Sequence, residues 1–189
     1  MQETEESDGQ NRGEGDLDAM SAGQRAAATV GALLRQRHES LALAESCTGG
    51  LIAAALTDVA GSSDYIWGGA VVYSVAAKQT LLGLDGKSLD LHGTVSHETT
   101  AALAQGVRRI SGATHGLAAT GWAGPGGGTE DDPVGTVYLG LASADGTETR
   151  RCSFSGGRKE VREQAVVSAL EWLQDNLAER KRAEDRATR

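Results

Sequence analysis

Three short segments carry side chains whose types and spacing suit acyl-transfer chemistry. In Ser46-Cys47-Thr48-Gly49-Gly50 a hydroxyl stands just past the apolar run Leu41–Ala44 and just before a helix-forming stretch. The N–H groups of Thr48, Gly49 and Gly50 therefore fall where a helix start leaves donors without intrahelical partners. Such donors suit an oxyanion; equally, Ser46 and Thr48 are residue types that cap helices. Cys47 competes as nucleophile, although burial as a small hydrophobe is the commoner fate of a free cysteine, and no histidine stands nearby in sequence to pair with it.

In the second segment, Tyr73-Ser74 through Lys78, the lysine falls in the first turn of an expected helix. There the positive end of the helix dipole works against an ammonium and favours the neutral amine. Base work requires its reference pKa of about 10.4 to fall to roughly 7–8, and burial against Val71, Tyr73 and Leu81 is the expected cause. The alternative is a solvated helix lysine. The third segment, Gly121 to Thr129, contains Gly121, Gly124, Gly126, Gly127 and Gly128. Glycines remove the Cβ obstacle and let backbone N–H groups approach a phosphate or ribose, yet the loop matches neither the Walker nor the dinucleotide fingerprint and also reads as a connector. Arg158, at the start of the last helical stretch, adds a planar cation to the same anion site, or is a surface arginine. His38, His92, His97 and His115 lack ligand spacing, so neither a metal nor a cofactor is expected.

These segments must be held by a scaffold, and the hydrophobic pattern supplies one. Ser21 caps a first helix running to about Arg37; Leu41–Ala44 is a strand, and Leu51–Leu56 a helix. Ala70–Tyr73 then reads as a strand and Val75–Leu82 as a helix, so a strand–turn–helix unit occurs twice. A helix from His97 to Ile110 and a strand at Leu117–Ala119 follow. Val134–Ala142 and Thr147–Phe154 form a hairpin joined by Ala144-Asp145-Gly146, with Asp-Gly as the turn signal. The last helix spans about Lys159 to Leu177. This order predicts an α/β fold, a three-layer α/β/α sandwich on a mixed, mainly parallel sheet. Sites in such sheets form beyond the carboxyl ends of the strands, where the three chemical segments fall.

Composition limits the alternatives. A chain of 189 residues, 39% hydrophobic, suits one domain, placed at residues 20–178. Seven carboxylates against Arg12 in the first eighteen residues account for most of the net charge of −8, and residues 1–19 read as a disordered acidic tail. Met20 is a second candidate start. Residues 179–189 read as a charged, frayed tail. A mildly acidic body with scattered basic residues argues against nucleic acid as a partner. No apolar stretch reaches membrane-spanning length, so no membrane partner is expected. The absence of an export signal and the presence of only Cys47 and Cys152 point to the cytoplasm.

Taken together, Ala44-Glu45-Ser46-Cys47-Thr48-Gly49-Gly50, Tyr73-Ser74 through Lys78, Gly93-Thr94-Val95-Ser96, and Gly121–Gly128 with Pro133-Val134-Gly135-Thr136-Val137 resemble the CinA C-terminal domain family over about residues 25–177. The resemblance implies a nicotinamide mononucleotide deamidase, releasing nicotinate mononucleotide and ammonia, in a stand-alone form that commonly self-associates as a homo-oligomer. It implies a nucleotide as small-molecule substrate and a serine–lysine pair, roles that fall on Ser46 and Lys78. Tyr73 is then a residue that orients Lys78 or touches substrate, and the Gly121–Thr129 loop and Arg158 are candidates for ribose and phosphate. Four positions depart from the family's pattern: Val75 stands for a usual Asn, Trp122 for a smaller aliphatic residue, Asp132 for a lysine and Gly157 for an aspartate. They leave two other readings open, a non-catalytic nucleotide-binding or stress-associated interaction domain, and an amidase with another substrate.

Overall fold

The computed structural model describes residues 20–187, and the expected acidic tail at 1–19 lies outside them. The chain runs α1 (Ala22–Arg37), β1 (Leu41–Glu45), α2 (Leu51–Thr57), a 3-10 turn (Ser62–Asp64), β2 (Ile66–Val71), α3 (Val75–Leu82), α4 (Gly86–His92), α5 (His97–Ser111), β3 (His115–Gly121), β4 (Thr136–Ser143), β5 (Gly146–Ser153) and α6 (Arg158–Ala187). The sheet order is β2-β1-β3-β4-β5. β1 pairs in parallel with β2 and β3, while β4 is antiparallel to both β3 and β5. Only β4 runs against the other strands, so the sheet is mixed with a parallel centre.

The period-2 alternation of β1 shows how the layers form. Leu41 and Leu43 join one apolar cluster with α1, α2 and α6, while Ala42 and Ala44 join another with α3, α4 and α5. The second face is made of small residues because α5 lies close against it. A Cβ on Gly116 would sit 2.2 Å from the Ala104 carbonyl oxygen, and one on Gly140 would sit 2.8 Å from that of Thr100. The leucine-rich face carries most of the large buried side chains, each of which stabilises the fold by about 1.5–3 kcal/mol. The α/β/α sandwich is thus a leucine layer and a close-contact layer back to back.

Local signals account for the element ends. Ser21 and Gln24 form a reciprocal capping box on α1, and Ser74 and Ser96 accept from Ala77 and Thr99 N–H at the starts of α3 and α5. Several sequence-based bounds need correction. β2 begins at Ile66, not Ala70, and ends at Val71, leaving Tyr73 outside the strand. Its Gly68-Gly69 pair reads as a breaker, but Gly69 faces Leu43 Cβ, where an added Cβ would lie 3.1 Å away. The helix α4 was not expected; Asp85 caps it and Leu89 anchors it. In the hairpin, Ser143 pairs with Gly146, so Ala144 and Asp145 form the loop and Gly146, with φ 137°, follows it. The last helix continues beyond the expected end at Leu177 to Ala187, tied by Arg180 to Asp145 and by Lys181 to Gln36, both at 2.8 Å.

Candidate active site

The turns after β1, β2 and β3 meet at the carboxyl edge of the parallel strands, where they enclose a cavity of about 330 Å³. Its walls include Ser46, Cys47, Tyr73, Val75, Lys78, Thr94, Val95, Thr120, Trp122 and Arg158, with Gly121, Ala123, Gly124 and Gly126 from the glycine-rich loop. Two residues 32 apart in sequence meet on its floor. Lys78 Nζ lies 3.3 Å from Ser46 Oγ and donates to the Val72 carbonyl at 2.8 Å. Lys78 is 2% exposed, and burial lowers its pKa below the ordinary lysine value. Its expected source of burial is corrected: Val71, Tyr73 and Leu81 are each about half exposed, and the amine is instead drawn inward to the Val72 carbonyl. A neutral amine there spends one N–H on Val72 and keeps its lone pair for the Ser46 hydroxyl proton. Cys47 differs in kind: burial pushes its thiol up to about 12, far from the thiolate that a nucleophile requires.

The turn carrying Ser46 is fixed from several sides. Ser46 N–H donates to the Ala119 carbonyl at 2.9 Å, joining β1 to β3 across the turn. Glu45, 2% exposed, turns its carboxylate onto the start of α2 and accepts from Gly50, Ile52 and Ala53 N–H at 2.9, 3.1 and 2.8 Å. Gly49 N–H donates to the Ser46 carbonyl at 3.1 Å. The expected oxyanion donors on Gly49 and Gly50 are therefore already engaged, and Thr48, Gly49 and Gly50 stand outside the cavity wall. Neither the Glu45 cap nor Arg162, which reaches the Cys47 and Thr48 carbonyls, was singled out from sequence. The signals were present: an acid ending a buried strand before a helix start, and two arginines, 158 and 162, at a helix N-terminus where the dipole disfavours cations.

Across the cavity, Arg158 Nη1 donates to the Gly124 carbonyl at 2.8 Å and Nη2 to Tyr73 Oη at 2.7 Å. Tyr73, 58% exposed, stands at the mouth with Arg158. Gly127 and Gly128 are the part of the loop that stands off the cavity wall; a Cβ on Gly127 would meet the Trp122 ring at 2.7 Å. Trp122 is held on both sides, its N–H donating to the Thr136 carbonyl and its carbonyl accepting from Gly135 N–H. Of the other departures from pattern, Val75 is 45% exposed on the cavity wall. Asp132 accepts from Tyr138 Oη and Arg151 Nε at 3.0 and 2.8 Å behind the loop. Gly157 precedes Arg158, and a Cβ there would lie 3.0 Å from Glu160 Oε2. Thr94, Val95 and Thr120 are further cavity residues not singled out individually from sequence; Thr120 Oγ1 donates to the Thr94 carbonyl at 3.0 Å. Among the described residues no group of three or more His, Cys, Asp and Glu could hold a metal ion, and no helix is long and apolar enough to cross a membrane.

Comparison with known proteins matches residues 23–177 to the model of the CinA C-terminal domain. A CinA-like protein of Myxococcus xanthus is 52% identical over 153 residues, covering 80% of this chain and 36% of that protein. One from Geobacter sulfurreducens is 48% identical over 148 residues, covering 78% and 36%. The chain thus spans about a third of the length of these relatives. Among solved structures, the competence/damage inducible protein CihA from Agrobacterium tumefaciens is 37% identical with a TM-score of 0.80, covering 84% of this chain and 97% of that one. A CinA superfamily protein from Klebsiella pneumoniae is 34% identical, also with a TM-score of 0.80, covering 83% and 98%.

Proposed function

The chain belongs to the CinA C-terminal domain family, and from that premise we propose that it is an amidohydrolase converting nicotinamide mononucleotide to nicotinate mononucleotide and ammonia. The observation that carries this reading is the buried Lys78 amine 3.3 Å from Ser46 Oγ, with no carboxylate among the described residues in ion-pair contact with it. A serine is a poor nucleophile until a neighbouring base takes its proton, and a desolvated lysine is such a base.

The reaction follows from these positions. Ser46 Oγ attacks the carboxamide carbon as its proton passes to Lys78 Nζ. Cys47 follows Ser46 and lines the cavity, and with Gly49 and Gly50 N–H engaged elsewhere its N–H is the turn donor assigned to the oxyanion. Collapse expels ammonia, which carries away the proton from Lys78, and leaves an acyl ester on Ser46. The neutral amine then takes a proton from water, whose oxygen attacks the ester carbonyl, and returns it to Ser46 as the acid departs. Trp122 and Arg158 line the cavity, and on this reading Trp122 is assigned to the pyridinium ring and Arg158 to the 5′-phosphate. Val75 is at the wall while the Ser46–Lys78 contact is intact, which favours turnover over a purely binding role.

Incubation with nicotinamide mononucleotide should release ammonia and nicotinate mononucleotide in equal amounts. Ser46→Ala should lower that rate by about a thousandfold or more, whereas Cys47→Ala should stay near wild type. Activity that survives Ser46→Ala but dies in a folded Cys47→Ala variant would assign the nucleophile to the thiol.

A further inference from the structure

The first turns of α6 grip both sides of the cavity. Arg158 and Arg162, four residues apart and so on one helix face, reach different loops: Arg158 holds the Gly124 carbonyl and Tyr73. Arg162 crosses to the serine turn, where Nε donates to the Cys47 carbonyl at 3.1 Å and Nη2 to the Thr48 carbonyl at 2.9 Å. Those are the two carbonyls immediately after Ser46. We infer that Arg162 is a positioning residue for the nucleophile, setting the Ser46–Lys78 approach through the Cys47 and Thr48 carbonyls without touching substrate.

Three observations support the assignment. The guanidinium lies over Gly49, where an added Cβ would come within 3.2 Å of Nη2 at a backbone φ of +60°. Gly49, first read as an oxyanion contributor, thus leaves the slot through which Arg162 reaches the turn. The turn's other side is fixed by Glu45, whose carboxylate takes the α2 N–H groups. Glu45 binds donors at the start of α2 and Arg162 binds acceptors at Cys47 and Thr48, so the segment that follows Ser46 is held by two opposite charges. Finally, two cations at a helix N-terminus oppose the macrodipole, and carbonyl oxygens from two loops are what offset that cost. A guanidinium fork suits two successive carbonyls, whereas a lysine supplies one point charge on a flexible stem.

The inference rests on the serine–lysine reading but not on the identity of the substrate, and its test uses a probe that is not a nucleotide. Phenylmethanesulfonyl fluoride sulfonylates an activated serine: the Ser46 O–S bond forms, fluoride leaves, and the hydroxyl proton goes to the Lys78 amine. Intact-mass measurement of the full chain gives the rate of this step. Loosening the turn by about 1 Å predicts a loss near a hundredfold in Arg162→Ala, and about tenfold in Arg162→Lys, which can hold one carbonyl at a time. The pH midpoint of labelling should stay near its wild-type value, because the burial that acts on the Lys78 amine does not come from Arg162; a general loosening of the fold would move it and lower the melting temperature as well. If Arg162→Ala does not fold, Arg162→Lys decides the matter. Labelling in either folded variant within about twofold of wild type overturns the positioning role. Wild-type protein that labels at Ser46 but leaves nicotinamide mononucleotide intact would reject the substrate alone. Wild-type protein that does not label would remove the serine–lysine reading and the positioning role with it.

Discussion

Ionisable groups withdrawn from solvent lie beyond both ends of the parallel strands β1 and β3, and the two ends solve the same electrostatic problem differently. At the carboxyl end Lys78 is 2% exposed, with the Val72 carbonyl and the Ser46 hydroxyl around its amine. At the amino end Glu39 accepts from Arg37 Nε at 3.0 Å, and His115 Nε2 lies 2.7 Å from its Oε2. Burial pushes the Glu39 carboxyl up, but hydrogen bonds from Arg37 and His115 outweigh it and hold the group below the usual carboxylate range. Burial likewise keeps His115 below the ordinary histidine value despite Glu39, so its ring serves as a neutral donor. Ser40 and Thr114 reinforce this end by exchanging backbone-to-hydroxyl hydrogen bonds. A paired charge withdrawn from solvent stays charged and ties strands together; a buried amine without a counter-charge is pushed toward its neutral form. The first arrangement serves the fold, and the second suits the base of the proposed reaction.

Replacing the base should give the largest effect. Lys78→Arg keeps the positive charge and most of the length, but a guanidinium cannot deprotonate at usable pH. Ammonia release should fall by about a thousandfold or more, and substantial activity in that variant with substrate binding intact would mean that the two ends do not differ as described. The amino end should respond in stability instead. Glu39→Gln removes a part-buried paired charge and should cost about 1–2 kcal/mol at pH 7, measured by denaturant unfolding, with turnover per folded molecule unchanged. Because the folded pKa of Glu39 is depressed, its contribution is complete above the unfolded value of about 4.3 and is lost as pH falls through the folded value. The gap between wild type and Glu39→Gln should therefore close in acid. A gap that persists there, or a loss of turnover, would break the division between the ends.

The sequence showed one side of this contrast more clearly than the other. Ser46 and Lys78 were legible because each sits just after a short apolar run, and sites in α/β sheets gather there. The α/β/α layering followed from the same local pattern. Glu45, whose partners lie five to eight residues on, was within reach of a local reading; the partners of Arg162 were not legible, because they are backbone carbonyls that only the fold brings near, Cys47 being 115 residues away. The Glu39–His115 pair, 76 residues apart, was invisible for the same reason, and His115 read only as a scattered histidine. Helix α4 was missed because Gly86 opens it and Leu91, 78% exposed, breaks its apolar face. The length of α6 beyond Leu177 is set by contacts to Gln36 and Asp145 that a charged run does not reveal.

Lys78 acting as a neutral base at working pH would show in the pH dependence of kcat/KM for nicotinamide mononucleotide. A base must be deprotonated to act, so the rate should rise with pH along a limb set by the free-enzyme amine. Burial without a counter-charge lowers that amine's pKa, which places the midpoint of the limb below the reference value of about 10.4. A limb centred near that reference value, or a rate that does not change with pH across the range where the protein stays folded, would contradict the account.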